Sequence, residues 1–219
     1  MSKKSNNYYT ASAYEEAIRT VRTNIQFSSL DKENRIISIT STKPSEGKST
    51  VIYNLAKSFA ENGGGRVILI DCDFRSPSIS QIAGIKDNVG VTNYLTGKVS
   101  LERAVNKDRE QDNLDLMFTG PVPPNPAEIL ASKIFKNFIE EVSEIYDYVF
   151  IDTPPVGLFT DSSIVATLSD GIIFVIKSSD TKREEINQAL DNLRKVGANI
   201  LGCVLTHMPF KDKGYGAYY

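Results

Sequence analysis

Six short apolar runs, separated by longer amphipathic stretches, constrain this chain more than any other feature. Residues 35–40 (RIISIT), 66–71 (RVILID), 148–152 (YVFID), 171–176 (GIIFVI) and 200–206 (ILGCVLT) have the length and β-branched content of strands. Residues 114–118 (LDLMF) form a weaker sixth. Four of the runs lack a polar residue at alternate positions, the pattern of parallel strands covered on both faces. Between them, residues 48–61, 126–145 and 181–196 read as helices. In the second, Asn125 suits an N-cap, Pro126 the first helical position and Glu128 a capping box. A further helix over residues 12–29 precedes the first strand. This alternation predicts one α/β domain over residues 1–208, a mostly parallel sheet flanked by helices. Residues 209–219 hold Gly, Lys and Tyr with almost no aliphatics, which predicts a flexible tail.

Composition removes several function classes. The 219 residues carry a formal charge of −2, which argues against a nucleic-acid protein held by bulk positive charge. His207 is the only histidine, so multi-histidine metal sites are impossible. Two cysteines, Cys72 and Cys203, sit in apolar runs; they exclude a disulfide scaffold and a four-cysteine zinc site and fit a reducing cytosol. The longest apolar run, residues 172–176, is far short of the roughly 20 residues that span a bilayer. Residues 1–9 are polar and lack a signal-peptide core, so a soluble chain that does not anchor itself is expected.

Residues 41–50 (STKPSEGKST) lie between the first strand and a helix. Gly47-Lys48-Ser49 is the end of a phosphate-binding loop, in which backbone N–H groups and the helix N-terminus cradle anionic phosphates. The nucleotide-binding segment runs through Ser45, Glu46, Gly47, Lys48, Ser49 and Thr50. Lys48 is placed to reach the β- and γ-phosphates, and the Ser49 hydroxyl to hold Mg²⁺. Thr42 stands where the full pattern has glycine. Lys43, four residues before Gly47, has two readings: the second lysine of the partition and cell-division ATPases, which contacts nucleotide across a dimer in those proteins, or a solvent-facing loop lysine.

Mg²⁺ takes oxygen ligands, and phosphoryl transfer uses a carboxylate near the attacking group. Asp152 ends an apolar strand and is followed by Thr153-Pro154-Pro155, while Asp71 and Asp73 end another within Asp71-Cys72-Asp73-Phe74-Arg75. Ligands in open α/β sheets bind at the carboxyl ends of strands, where all three aspartates and the phosphate loop belong.

Together these three motifs resemble the Walker A, Walker A′ and Walker B motifs of the bacterial tyrosine kinases, in particular the cytoplasmic kinases of capsule and exopolysaccharide loci. The resemblance runs from about residue 14 to the end. Glu16, Arg19 and Arg22 are spaced three apart on one face of the first helix and match the family's oligomerisation motif; an intrahelical i,i+3 pair is the alternative. Residues 120–126 (GPVPPNP) resemble a family stretch before a core helix. Three of the ten tyrosines, Tyr215, Tyr218 and Tyr219, fall in the last five residues. Relatives often carry Leu-Asn-Lys after the last strand, with the asparagine near the base, where this chain has Leu205-Thr206-His207.

The resemblance implies a P-loop fold of the partition-ATPase lineage and an ATP- and Mg²⁺-dependent protein-tyrosine kinase that phosphorylates its own Tyr215, Tyr218 and Tyr219 between subunits. Lys48 would stabilise phosphate charge, Asp71 would activate the tyrosine hydroxyl, and Ser49, Asp73 and Asp152 would hold the metal, with Asp71 and Asp73 exchangeable in those roles. It also implies a homo-oligomer, possible as a ring, protein tyrosine substrates, and a membrane adaptor of the chain-length-determinant type that recruits a cytoplasmic kinase to the inner face of the membrane. Two rival readings are a partition-type ATPase acting as a hydrolytic dimer switch and a non-catalytic nucleotide-binding scaffold. The tyrosine tail opposes the first, and three intact aspartates oppose the second.

Overall fold

A computed structural model describes residues 3–28, 34–62, 65–178 and 180–208, with only the helical backbone for residues 3–12. Tyr215, Tyr218 and Tyr219 lie outside the described residues. In chain order the elements are α1 (Lys3–Gln26), β1 (Ile36–Ser41), α2 (Lys48–Glu61), β2 (Val67–Asp71), α3 (Ile79–Ile82), α4 (Val91–Leu95), α5 (Leu101–Ala104), β3 (Asn106–Lys107), β4 (Leu114–Met117), α6 (Pro126–Leu130), α7 (Lys133–Ile145), β5 (Tyr148–Asp152), α8 (Asp161–Ala166), β6 (Gly171–Lys177), α9 (Arg183–Lys195) and β7 (Ile200–Thr206).

The seven strands form one sheet in the order β3-β4-β2-β5-β1-β6-β7. Every neighbouring pair is parallel except β3–β4. Alternate residues of the central strands enter different cores. Val67 and Leu69 of β2 and Phe150 of β5 join Ile52, Leu55 and Phe59 of α2. Ile68, Ile70, Val149 and Ile151 face the other way, onto Phe135, Phe138, Ile139 and Val142 of α7. Beyond β1, Ile172 and Phe174 of β6 pack on Ala189 and Leu193 of α9. Each fully buried side chain of this size contributes about 1.5–3 kcal/mol. Helix propensity differs by only about 0–0.7 kcal/mol per ordinary residue. Packing on the sheet, not propensity, therefore fixes α2 and α7.

Four strand bounds shift by one residue at one or both ends, and β7 and β5 fall where the pattern puts them. The helix expected over residues 126–145 is two helices. Ser132 adopts an extended conformation, and its Oγ accepts the Phe135 N–H at 3.1 Å, capping α7. At the start of α6, Asn125 is the N-cap residue with Pro126 behind it, but the expected capping box is replaced by an Asn125 Nδ2 donation to Glu128 Oε2 at 3.1 Å. The third helix begins at Arg183 because the Lys182 N–H is taken by Glu185 Oε2. Two-residue β3 and the short helices α3–α5 carry too little periodicity to stand out in the sequence.

Helix α1 lies on α2 through Ile18, Val21 and Ile25. Arg22 Nη1 donates to the Ser58 carbonyl at 2.8 Å and to Ser58 Oγ at 3.0 Å, so this arginine docks α1 within its own chain. Arg19 pairs with Glu16 at 3.5 Å, and both stay exposed. Among the described residues no helix is long and apolar enough to cross a membrane. Replacing Ser132 by alanine should remove the α7 cap at a cost of about 1 kcal/mol. Urea denaturation followed by circular dichroism measures it, and an unchanged midpoint would mean that packing of α7 alone sets the helix start.

Candidate active site

The carboxyl ends of β2, β5 and β1 are neighbours, and the register sets Asp71 directly opposite Asp152. The loop after β1 turns sharply into α2. Gly47, at the N-cap, has φ 90°, and Ser45 has φ 61°. Thr42 needs no left-handed conformation, so the glycine missing from the full motif is not required there. The first N–H groups of α2 have no intrahelical acceptor and carry the positive end of the helix dipole, a ready cradle for phosphate.

Glu46 is buried and braces this loop. Its carboxylate accepts the Lys43 N–H at 2.9 Å, the Lys177 N–H at 3.3 Å and the Thr181 hydroxyl. Its carbonyl accepts Thr206 Oγ1 at 2.6 Å. Glu46 thus ties the loop to the β6–α9 connection and to the end of β7. Lys43 Nζ pairs with Glu185 Oε2 of α9 at 2.7 Å, half exposed.

Lys48, on the first turn of α2, reaches across to the acidic strand ends. Its Nζ lies 2.6 Å from Asp73 Oδ2, 3.5 Å from Asp152 Oδ1 and 3.2 Å from Ser49 Oγ. Desolvation works against the ammonium, but Asp152 and Asp73 outweigh it and hold Lys48 above the ordinary lysine value. Asp71 points elsewhere: Oδ1 accepts the Asp73 N–H at 3.1 Å, and Oδ2 accepts those of Ser78 and Ile79 at 3.1 and 3.2 Å. Burial, then the Asp152 charge, push the Asp71 carboxyl up to about 8 against the pull of the Ile79 N–H. Asp152 is fully buried, and neither carboxylate oxygen has a hydrogen-bond partner. Burial raises its proton affinity, and Lys48 only partly offsets this.

Two orphaned carboxylate oxygens beside a hydroxyl and a second carboxylate fit a hard cation. Mg²⁺ takes one or two carboxylates and completes its shell with water and phosphate oxygens. Among the described residues no group of three or more acidic, histidine or cysteine side chains forms a ready-made cage.

Comparison with known proteins agrees with this geometry. A family model described as an AAA domain matches residues 34–202. Tyrosine-protein kinase YwqD of Bacillus subtilis is 40% identical over 204 residues, spanning 93% of this chain and 85% of YwqD. The chain belongs to the bacterial tyrosine-protein kinases. A crystal structure of the chimerical protein CapA2B2 superposes with a TM-score of 0.84 at 32% identity, covering 88% of this chain and 84% of that one. More distantly, the septum site-determining protein MinD of Pyrococcus horikoshii, complexed with Mg-ADP, has a TM-score of 0.65 at 27% identity over 78% and 69% of the two chains. The kinase fold is thus that of the P-loop NTPases of the partition and cell-division type.

The partners of other residues at the kinase site had no local sequence signal. Arg75 turns away from the aspartates to Asp161, and Gly157 lies so close to the phosphate loop that a Cβ there would stand 2.3 Å from the Thr42 carbonyl oxygen. Cys72, between the two aspartates, is buried, and burial holds its thiol well above the usual value, so it is a packing residue.

With Asp71 and Asp152 both raised, the folded kinase keeps protons that the unfolded chain releases above pH about 4. Stability should fall as pH rises from about 4 to about 8. Asp152→Asn should flatten that slope and raise the melting temperature at pH 8, by about 2–4 °C per kcal/mol of repulsion relieved. Addition of Mg-ADP should stabilise the wild type more than the variant. Identical melting curves and identical Mg-ADP shifts would reduce Asp152 to an ordinary strand end.

Proposed function

We propose that this kinase transfers the γ-phosphoryl group of ATP to tyrosines of its own C-terminus, Tyr215, Tyr218 and Tyr219, on a neighbouring subunit. The observation that carries the reading is the convergence of Lys48, Ser49, Asp73 and Asp152, whose carboxylate oxygens lack a hydrogen bond, at the first turn of α2. The first-turn N–H groups of α2 and Lys48 bind the phosphates and stabilise the charge that spreads over the γ-phosphoryl oxygens in the transition state. Ser49, Asp73 and Asp152 are the residues that would hold Mg²⁺, which when bound neutralises charge on the β- and γ-phosphates. Asp71 is the proposed base by its place at the end of β2, opposite Asp152; the Asp73, Ser78 and Ile79 N–H groups that hold its oxygens in this structure would have to yield one to the tyrosine hydroxyl. The tyrosine oxygen bonds to the γ-phosphorus, the bond from that phosphorus to the bridging oxygen breaks, ADP leaves, and the phenolic proton passes to the carboxylate.

The chain leaves β7 beside the phosphate loop, where Thr206 Oγ1 donates to the Glu46 carbonyl at 2.6 Å. The role proposed for Glu16 and Arg19, which remain exposed on α1, is contact with the next subunit of a homo-oligomer. The family suggests a setting in capsule or exopolysaccharide synthesis, with a membrane adaptor of the chain-length-determinant type recruiting the cytoplasmic kinase to the inner face of the membrane. The likeness to the chimerical protein CapA2B2 supports that partnership.

Mixing two proteins, neither of which can label its own tail, tests the mechanism. One carries Lys48→Met, which should cost at least about a hundredfold in rate, with its tail intact. The other has a wild-type site and phenylalanine at positions 215, 218 and 219. Phosphate should appear on the Lys48→Met subunits of the mixture and on neither protein alone. Label on the Lys48→Met protein by itself would overturn the role of Lys48, and no label in the mixture would overturn transfer between subunits.

A further inference from the structure

Arg75 ends the acidic motif after β2, but its side chain takes no part in the charge cluster. Its guanidinium forms a two-pronged pair with Asp161, Nε to Oδ2 at 3.0 Å and Nη2 to Oδ1 at 3.1 Å. Asp161 opens α8 and is fully buried. The guanidinium carbon also stands 4.0 Å from the centre of the Phe159 ring. Both carboxylate oxygens of Asp161 are thereby committed to one partner 86 residues away in sequence. The planar fork of arginine matches a carboxylate in a way lysine does not.

The backbone of Arg75 is part of the site. Its N–H and that of Ser76 donate to Asp73 Oδ1 at 3.2 and 2.9 Å, which leaves Oδ2 aimed at Lys48 Nζ, 2.6 Å away. The turn that orients Asp73 is therefore held from outside by the Arg75–Asp161 fork. The segment supplying Phe159 and Asp161 follows directly on β5, which ends in Asp152, and the same segment touches the phosphate loop where Gly157 meets the Thr42 carbonyl. One short connection thus abuts both the loop that leads into Lys48 and the turn that carries Asp73.

We propose that Asp161, acting through its fork to Arg75, is a positioning residue for phosphoryl transfer: it fixes the turn that presents Asp73 to Lys48 and the metal. This inference rests on the kinase reading above. Without the fork, the Asp73 turn keeps its sequence and its charge but loses the fixed orientation of the carboxylate. Partners of this outer kind typically cost ten- to hundredfold in metal affinity or activity when removed, roughly as for the outer shell of metal sites.

The test compares the full chain with Arg75→Lys and Asp161→Asn, taking Asp191→Asn as control because Asp191 forms an exposed pair with Arg194. Arg75→Lys keeps the charge and loses the fork, so it carries the test where Asp161→Asn fails to fold. Both variants should lose about ten- to hundredfold in kcat for phosphotyrosine formation. The KM for ATP should stay within about threefold, because the phosphate loop itself is unaltered. Binding of Mn²⁺ in the presence of ADP, read by electron paramagnetic resonance, should weaken by about tenfold. Arg75→Lys with the kcat and Mn²⁺ affinity of the control would overturn the proposal. So would a loss of activity that only tracks the fraction unfolded at the assay temperature. A wild-type protein that forms no phosphotyrosine would count against the kinase reading, and the Mn²⁺ comparison then decides the positioning role by itself.

Discussion

Three buried carboxylates gathered at neighbouring strand ends, two of them facing the buried Lys48 ammonium, are the constraint on which the rest of this structure depends. Asp71, Asp73 and Asp152 are each almost wholly removed from solvent, and Lys48 is the cation within ion-pair distance of two of them. Burying charge is costly unless it is paired and hydrogen-bonded. Asp71 is satisfied by backbone N–H groups and Asp73 by backbone N–H groups and Lys48. Asp152 is left without a hydrogen bond at the centre. A fold that keeps such an arrangement concentrates strongly electrostatic groups where a phosphate-bearing ligand and a cation complete it.

The scaffold is built to hold that arrangement. Parallel register puts Asp71 opposite Asp152 on adjacent strands, and β1 on the other side of β5 delivers the phosphate loop to the same edge. Two braces then keep the connecting segments in place. Glu46 fastens the phosphate loop to Lys177, Thr181 and Thr206 on one side. The Arg75–Asp161 fork fastens the Asp73 turn to α8 on the other. Preorganised charges of this kind act on a transition state without reorganising at the moment of reaction.

The strands and the phosphate loop were legible in sequence because their signals are local: β-branched runs of five to seven residues and a Gly-Lys-Ser between strand and helix. The aspartates were legible by position, at the ends of those runs. What was not legible depends on partners far away in sequence. Nothing near Asp161 marks it as the partner of Arg75, and nothing near Glu46 announces that its carboxylate is bonded to Thr181, 135 residues later. Arg22 fits a charged face on the helix pattern, yet it reaches Ser58 of α2. The break between α6 and α7 was hidden because a single extended residue, Ser132, interrupts an otherwise continuous amphipathic stretch. Thr42 departs from the loop motif without consequence for the backbone, since the left-handed positions are Ser45 and Gly47.

The most direct measurement is the mass of the intact protein after incubation with Mg-ATP, followed by peptide mapping. The account predicts additions in steps of about 80 Da, one per phosphate, confined to the peptide that carries Tyr215, Tyr218 and Tyr219. ATP consumption with no gain in mass, or phosphate placed mainly on the packed Tyr53 or Tyr148, would contradict it.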